Sequence, residues 1–192
     1  MYDEAIVHKA IHMMRNPYDN IVARFHLVWK RETRKDDSYA DKFPNTADGF
    51  RAWCRERDAM TDFLEDPWLS KVLQDVKLDD FFCHQEFLLY IQWHNLAFEA
   101  IRELGIPTLV ILYEDYATDF DLASRRLLHF LQLQEEVVDG DDDDDSDAFK
   151  AGKTYLDFYS PTEKASIAKF LFELASDDTW EYLQGYFTEE LS

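Results

Sequence analysis

The stretch HKAIHMMRNPYDNIVARFHLVWK, residues 8–30, contains a predicted strand, a tight turn and a predicted helix in immediate succession. The apolar run before Arg15 is short and ends abruptly, which is typical of a buried strand. Asn16 can cap a helix, Pro17 suits its first turn, and Asp19 complements the positive end of the helix dipole. The stretch therefore predicts a strand followed directly by a helix, with the cation Arg15 beside the helix N-terminus.

This junction is suited to holding an anion. A helix N-terminus offers unpaired N–H groups and a partial positive charge, and the guanidinium fork of Arg15 matches the geometry of a phosphate. An ion pair with one of the 40 acidic residues would explain the same arginine equally well. The spacing alone leaves both interpretations open.

The rest of the chain alternates predicted helices with a second strand, TLVILYE at 108–114. Helices are predicted from Asn16 onward, over 48–75 with a break at Pro67, over 81–104, over 121–133 and over 160–174. Apolar stripes are predicted on three of them: Ile21, Phe25, Val28 and Trp29; Leu89, Trp93, Leu96, Ala100, Ile101 and Leu104; and Ile167, Phe170, Leu171 and Leu174. Ser160, Pro161 and Glu163 form a predicted capping box.

Two strands separated by helices predict an α/β fold with a partial parallel sheet flanked by helices. Two strands are too few to complete such a sheet, so part of it is expected to be missing. The length of 192 residues and the 46% hydrophobic content predict one partial domain over 1–192. The acidic run within 136–148 is predicted to be a flexible loop.

Charge and composition exclude several classes of function. A net charge of -20 argues against a nucleic-acid surface, which needs clustered bases. The longest apolar stretches, such as 106–112, are too short to cross a bilayer, and the acidic start of the chain is unlike a signal peptide. We therefore expect no membrane segment in this chain. Cys54 and Cys83 lack metal-site spacing and are expected to be buried thiols rather than a disulfide framework.

Three segments of the chain resemble motifs of the sulfotransferases that use 3′-phosphoadenosine 5′-phosphosulfate (PAPS), and they occur in the same order as in that family. The segment Arg-Asn-Pro-Tyr-Asp from Arg15, between a strand and an amphipathic helix, looks like the family's 3′-phosphate motif. The segment LVILYEDYATDFDLASRRLLHFLQL at 109–133 resembles the second motif, with Tyr113, Glu114, Asp115, Phe130 and Leu131 at its characteristic positions. The segment at 149–167 is similar to the closing motif.

The resemblance implies a remnant of a P-loop-type sulfotransferase fold and a set of cofactor-binding residues. It implies that Arg15 binds the 3′-phosphate, that Tyr113 packs on the adenine, and that Lys150 and Gly152 touch the same phosphate. The implied ligands are PAPS and adenosine 3′,5′-bisphosphate. The implied acceptor is a carbohydrate, a protein tyrosine or a small molecule, with 40–80 as the region that would shape its pocket through Phe43, Phe50, Trp53 and Trp68. Golgi and cytosolic locations both remain open.

Departures from the family pattern limit what the chain is expected to do. Ala23 stands where the family has a phosphate-binding serine, and Ala151 replaces a base between Lys150 and Gly152. No 5′-phosphosulfate loop or general base is identifiable, since His8 and His12 do not occupy the base's position. The chain therefore resembles the C-terminal portion of the domain, with no catalytic residue and no metal site assigned. Two functions are expected as alternatives: a sulfotransferase-family protein that is inactive as this isolated chain, or a non-catalytic anion-binding or interaction module. A P-loop kinase fold is a further alternative by analogy.

Overall fold

The computed structural model describes residues 7–60, 67–73, 76–133, 154–188 and 190. They belong to two compact units. The first, called the sheet unit, lies within Met1–Asn16 and Glu99–Thr154, and the second, called the helical unit, lies within Pro17–Phe98 and Tyr155–Ser192. The prediction of one partial domain over 1–192 stays a prediction. The acidic loop predicted at 136–148 lies outside the described residues.

The sheet unit contains two parallel strands, β1 (Ala10–Met14) and β2 (Thr108–Leu112). Their register pairs Ala10 with Thr108 and Met14 with Leu112. The predicted adjacency of the two strands is confirmed. His12 and Met14 on one face of β1 are buried, whereas Ile11 and Met13 on the other face are exposed.

Two helices follow β2 in the sheet unit, α6 (Asp115–Thr118) and α7 (Phe120–Leu131). The Asp119 side chain accepts a hydrogen bond from the Leu122 N–H and so caps α7. Gln132, at φ 61°, ends that helix in the left-handed conformation. Gly105 likewise has φ +61° where the preceding helix ends, a conformation that glycine adopts without steric cost.

The helical unit holds the remaining helices. Their bounds are α1 (Pro17–Thr33), α2 (Ser38–Lys42), α3 (Ala47–Asp58), α4 (Pro67–Val72), α5 (His84–Leu104, divided between the units after Phe98), α8 (Pro161–Leu174) and α9 (Asp177–Leu183). The predicted capping box at α8 is confirmed, because the Ser160 and Glu163 side chains bond reciprocally to the backbone. The α8 stripe Ile167, Phe170, Leu171 and Leu174 is buried as predicted.

The core of the helical unit is aromatic. Tyr18, on α1, contacts the rings of Phe87, Tyr159 and Phe187 with centroid distances of 6.4, 5.2 and 5.7 Å. Phe50, on α3, contacts the Tyr159 ring at 5.8 Å. All of these pairs are edge-to-face except the tilted pair of Tyr18 with Tyr159, and edge-to-face pairs stabilise beyond the area that they bury.

The apolar face assigned to α5 from its sequence is not the buried one, and this part of the prediction is wrong. Leu89, Trp93 and Leu96 are 38%, 59% and 64% exposed. The buried side chains instead include Phe87, Leu88, Tyr90, Ile91 and Phe98. Both sets satisfy helical spacing, so the period alone could not choose between them.

The expectation of free thiols is also wrong. Cys54 and Cys83 are both buried, as predicted, but they form a disulfide between α3 and the residue that precedes α5. Their Cα atoms lie 4.5 Å apart although 29 positions separate them in sequence. The pairing depends on how two helices pack, which cysteine spacing does not report.

The described residues are mostly helical, with one small parallel sheet, and this composition is compatible with the α/β class. Among the helices of the described ranges, none is long and apolar enough to span a bilayer.

Candidate functional site

The candidate site lies at the carboxyl ends of β1 and β2. Met14 pairs with Leu112 in the parallel register, and the Tyr113 N–H donates to the Met14 carbonyl at 2.7 Å. Because the two strands run in the same direction, the residues that follow them leave the sheet side by side. Arg15 and Tyr113 are therefore neighbours.

Arg15 stacks on Tyr113, with its guanidinium carbon 4.6 Å from the ring centroid. Both side chains are half-buried. The negative face of the ring attracts the cation, and the contact limits the conformations that the long arginine side chain can adopt. A guanidinium held in this way loses less conformational entropy when it binds an anion.

Glu114 adds a negative charge to the same place. Its Oε1 accepts a hydrogen bond from the Asn16 N–H at 2.9 Å. One of the N–H groups expected to be available to an anion at the strand-helix junction is therefore taken by a carboxylate. Sequence reasoning placed Glu114 in the motif but missed this contact. Its position two residues after β2 indicates that it lies near Arg15, but does not specify the direction of its carboxylate.

The other residues implied by the resemblance fall in different places. Lys150 and Gly152 lie outside the described residues, so their assignment stays a prediction. Phe130 and Leu131 end α7, and neither is fully exposed.

The two histidines of the first segment differ in environment. His8 is exposed, whereas His12 is buried and its burial lowers the pKa of the imidazole. A lowered pKa keeps His12 neutral near pH 7, so it adds no positive charge to the nearby end of β1.

The aromatic residues named as an acceptor surface are mainly core residues. Phe43, Phe50 and Trp53 are buried, and Trp53 contacts Phe25 with ring centroids 5.6 Å apart. Trp68 is 59% exposed. Of the four candidates, only Trp68 is therefore placed where it could meet an acceptor without rearrangement of the core.

A polar cavity of about 320 Å³ lies in the helical unit and is lined by Arg51, Arg55, Asp58, Leu78, Asp79, Asp80, Phe81, Phe82, His84 and Glu163. Four of its polar residues form pairs, Arg51 with Glu163 and Asp58 with His84. Arg51 forms a two-point ion pair with Glu163, with nitrogen-oxygen distances of 2.6 and 3.0 Å. Burial raises the pKa of Asp58, although the N–H groups of Cys83 and Gln85 donate to its carboxylate. These pairings indicate a structural network rather than a ligand site.

Comparisons of the chain with family models, with curated proteins and with solved structures find no match. The sulfotransferase resemblance therefore depends on the three segments and on the geometry of their described residues.

Proposed function

We propose that the sheet unit is a sulfotransferase-type nucleotide site that binds the 3′-phosphate side of PAPS or adenosine 3′,5′-bisphosphate. The observation that carries the proposal is the stacking of Arg15 on Tyr113 at the ends of two adjacent parallel strands. In open α/β sheets, ligands bind outside the carboxyl ends of the strands. This position supports the assignment independently of the sequence motif.

The residues present fit the 3′ side of such a nucleotide. Arg15 supplies a charge-assisted, two-point donor for a phosphate, and Tyr113, whose ring stacks on Arg15, is the residue that the resemblance assigns to the adenine. Glu114 counts against tight binding, because its carboxylate repels a phosphate held at the same junction. The proposed site is therefore specific for the 3′-phosphate but modest in affinity.

PAPS, when bound to a complete enzyme of this family, donates a sulfuryl group to a hydroxyl or amine. The proposal assigns binding and not transfer to these 192 residues, since no phosphosulfate loop or general base is identifiable among them. Either a sulfotransferase that requires further elements or a non-catalytic nucleotide-binding module is consistent with that assignment. Acceptor-dependent sulfuryl transfer that begins when such elements are supplied, and is not seen with this chain alone, would favour the former.

The Cys54–Cys83 disulfide bears on the compartment. Structural disulfides persist in oxidising compartments and are rare in the cytosol. The proposal therefore places the protein in an oxidising compartment such as the Golgi lumen. Acceptors in such a compartment include carbohydrate and protein tyrosine side chains, two of the three classes that the resemblance implies.

Titration calorimetry at low salt tests the nucleotide site. The chain is expected to bind adenosine 3′,5′-bisphosphate about tenfold more tightly than adenosine 5′-monophosphate, because only the former presents a 3′-phosphate to Arg15. The Glu114→Gln variant is expected to increase that preference, since it removes a negative charge and keeps an oxygen that can accept the Asn16 N–H.

The Arg34→Ala variant is the matched control. Arg34 is an exposed cation after the end of α1, so its loss changes the net charge as the loss of Arg15 does. The preference should survive Arg34→Ala and disappear in Arg15→Ala. Equal affinity of the parent chain for the two nucleotides would contradict the proposal.

A further inference from the structure

A cavity in the sheet unit, called the β2–α7 cavity, lies between β2 and α7 and has a volume of about 430 Å³. It is lined by Leu109, Arg125, Arg126, His129 and Phe130. Its volume falls within the usual range of small-molecule sites, roughly 300 to 1,000 Å³.

The lining is basic, in contrast to the chain as a whole. It includes two arginines, one histidine and no acid, whereas the chain carries 40 acids against 20 lysines and arginines. Arg125 and His129 are exposed, and in the part of the chain that the structure describes the Arg125 guanidinium forms no ion pair. Lys9 adds a further cation beside the lining, with its Nζ 5.2 Å from the Phe130 ring centroid and donating to the Phe130 carbonyl.

Arg126 has one weak competing partner. Its Nη1 lies 3.4 Å from Asp115 Oδ2, and the two side chains are 49% and 37% exposed. An exposed pair at this separation is held weakly, because water screens both charges. Arg126 is therefore able to turn toward an anion in the cavity.

The cavity also has an apolar surface. Leu109 and Phe130 are half-buried and contribute a branched aliphatic side chain and an aromatic ring. A ligand that contacts all five lining residues needs an apolar body and an anionic group. Guanidinium groups bind oxyanions through paired N–H donors and also stack on aromatic rings.

This cavity is distinct from the proposed nucleotide site. Leu109 is near the start of β2, whereas Tyr113 follows its last residue. Four residues of strand separate the two positions by about 13 Å. The β2–α7 cavity therefore lies toward the opposite end of β2 from Tyr113, although its lining includes Phe130 of the second motif.

We infer that the cavity formed by Leu109, Arg125, Arg126, His129 and Phe130 is a second binding site, and that it takes a small aromatic oxyanion. The ring lies against Phe130 and Leu109, and the anionic group lies among the guanidinium groups. The site does not depend on the nucleotide function proposed above, because it shares no residue with it.

Calorimetric titration of the full chain with 1-naphthyl phosphate tests the inference. The chain is expected to bind 1-naphthyl phosphate at least tenfold more tightly than either 1-naphthol or inorganic phosphate, since each of these presents only half of the ligand chemistry. Arg125→Ala is expected to weaken the binding of 1-naphthyl phosphate about tenfold. If the alanine protein folds poorly, Arg125→Gln, which retains a longer side chain without the charge, is expected to weaken binding in the same way.

Two further variants make the result specific to this cavity. Arg34→Ala, the matched loss of an exposed cation in the helical unit, should change the affinity by less than about twofold, because long-range effects of an exposed charge are screened. Arg15→Ala should also leave most of the affinity intact. The inference is overturned if 1-naphthol binds the parent chain as tightly as 1-naphthyl phosphate does. It is also overturned if Arg34→Ala and Arg125→Ala weaken the binding of 1-naphthyl phosphate equally, or if Arg15→Ala is the only one of these variants that abolishes it.

Discussion

Gly49 lies in the first turn of α3, where the chain folds back over the helix start. The Thr46 hydroxyl accepts the Gly49 N–H at 3.2 Å and caps the helix. This turn brings the Pro44 carbonyl oxygen to 1.7 Å from the position that a Cβ on Gly49 would occupy. The absence of a side chain is thus required by close backbone approach and not by an unusual φ.

Gly49→Ala is expected to lower the free energy of unfolding by about 2 kcal/mol, since backbone atoms must move to admit the methyl group. Gly185→Ala is the matched control, because a Cβ there would meet no atom within 4 Å. That substitution should be neutral or stabilise by up to about 1 kcal/mol through the unfolded state. Urea unfolding measures both, and a Gly49→Ala protein as stable as the parent would contradict the close approach.

The sequence could predict that Arg15 and Tyr113 are neighbours because the signals that place them are local. Each follows an apolar run of strand length, and parallel pairing of those runs makes the two residues neighbours. The role of Glu114 could not be identified in the same way. Whether its carboxylate faces solvent or the Asn16 N–H depends on side-chain geometry, which a sequence pattern does not specify.

At the scale of elements, α3 and α8 are joined by the ion pair between Arg51 and Glu163. Burial of the Glu163 carboxyl raises its pKa, but hydrogen bonds from Arg51 and from Ser160 outweigh burial and hold that pKa below its ordinary value of 4.5. Arg51 also donates to the Phe158 carbonyl at 2.9 Å and stacks on Phe82 at 4.5 Å. A carboxyl whose pKa is lowered on folding contributes stability above its unfolded pKa and loses it as the pH falls through its folded pKa.

Arg51→Ala is therefore expected to lower the free energy of unfolding by about 2 kcal/mol at pH 7. The difference from the parent should shrink as the pH falls below about 4.5, because protonation of Glu163 removes the ion pair in the parent as well. Lys42→Ala, which breaks the surface ion pair with Glu56, should cost less than about 1 kcal/mol. Denaturant unfolding between pH 7 and pH 3 measures these values, and a pH-independent Arg51→Ala effect would contradict the assigned role.

The disulfide joins α3 to the start of α5 and closes a loop spanning 29 positions. Replacing both Cys54 and Cys83 with alanine is expected to lower the free energy of unfolding by about 3 to 4 kcal/mol, which is the loop-closure entropy restored to the unfolded chain. Cys83 has φ 70°, a conformation that costs a non-glycine residue about 1 kcal/mol or more. The Cys54→Ala, Cys83→Gly variant should therefore be more stable than the Cys54→Ala, Cys83→Ala variant. A thiol titration that finds two free cysteines in the unfolded, unreduced chain would contradict the disulfide itself.

The number of apolar residues in a helix decides whether its buried face can be predicted from its sequence. The α8 stripe was identified because polar residues such as Lys169 and Glu173 separate its apolar positions. In α5, Phe87, Ile91 and Phe98 repeat with the same period as Leu89, Trp93 and Leu96. Packing against other helices decides which set is buried, and that information lies outside the helix.

For the whole molecule, the pairing of the two strands and most helix positions were predicted from local patterns. The disulfide and the choice of buried face on α5 were not, because each depends on contacts between segments distant in sequence. The proposed function depends on both kinds of information. Local motifs indicate Arg15 and Tyr113, and the pairing of β1 with β2, which are distant in sequence, brings the two residues together.

The measurement that tests this account most directly is the coupling free energy between Arg15 and a ligand 3′-phosphate. It is obtained from four calorimetric affinities, those of the parent chain and Arg15→Ala for adenosine 3′,5′-bisphosphate and adenosine 5′-monophosphate. The account predicts a favourable coupling of about 1.5 to 3 kcal/mol, the contribution of a charge-assisted contact. A coupling below about 0.5 kcal/mol would contradict it and would leave Arg15 as the cation of a structural contact with Tyr113.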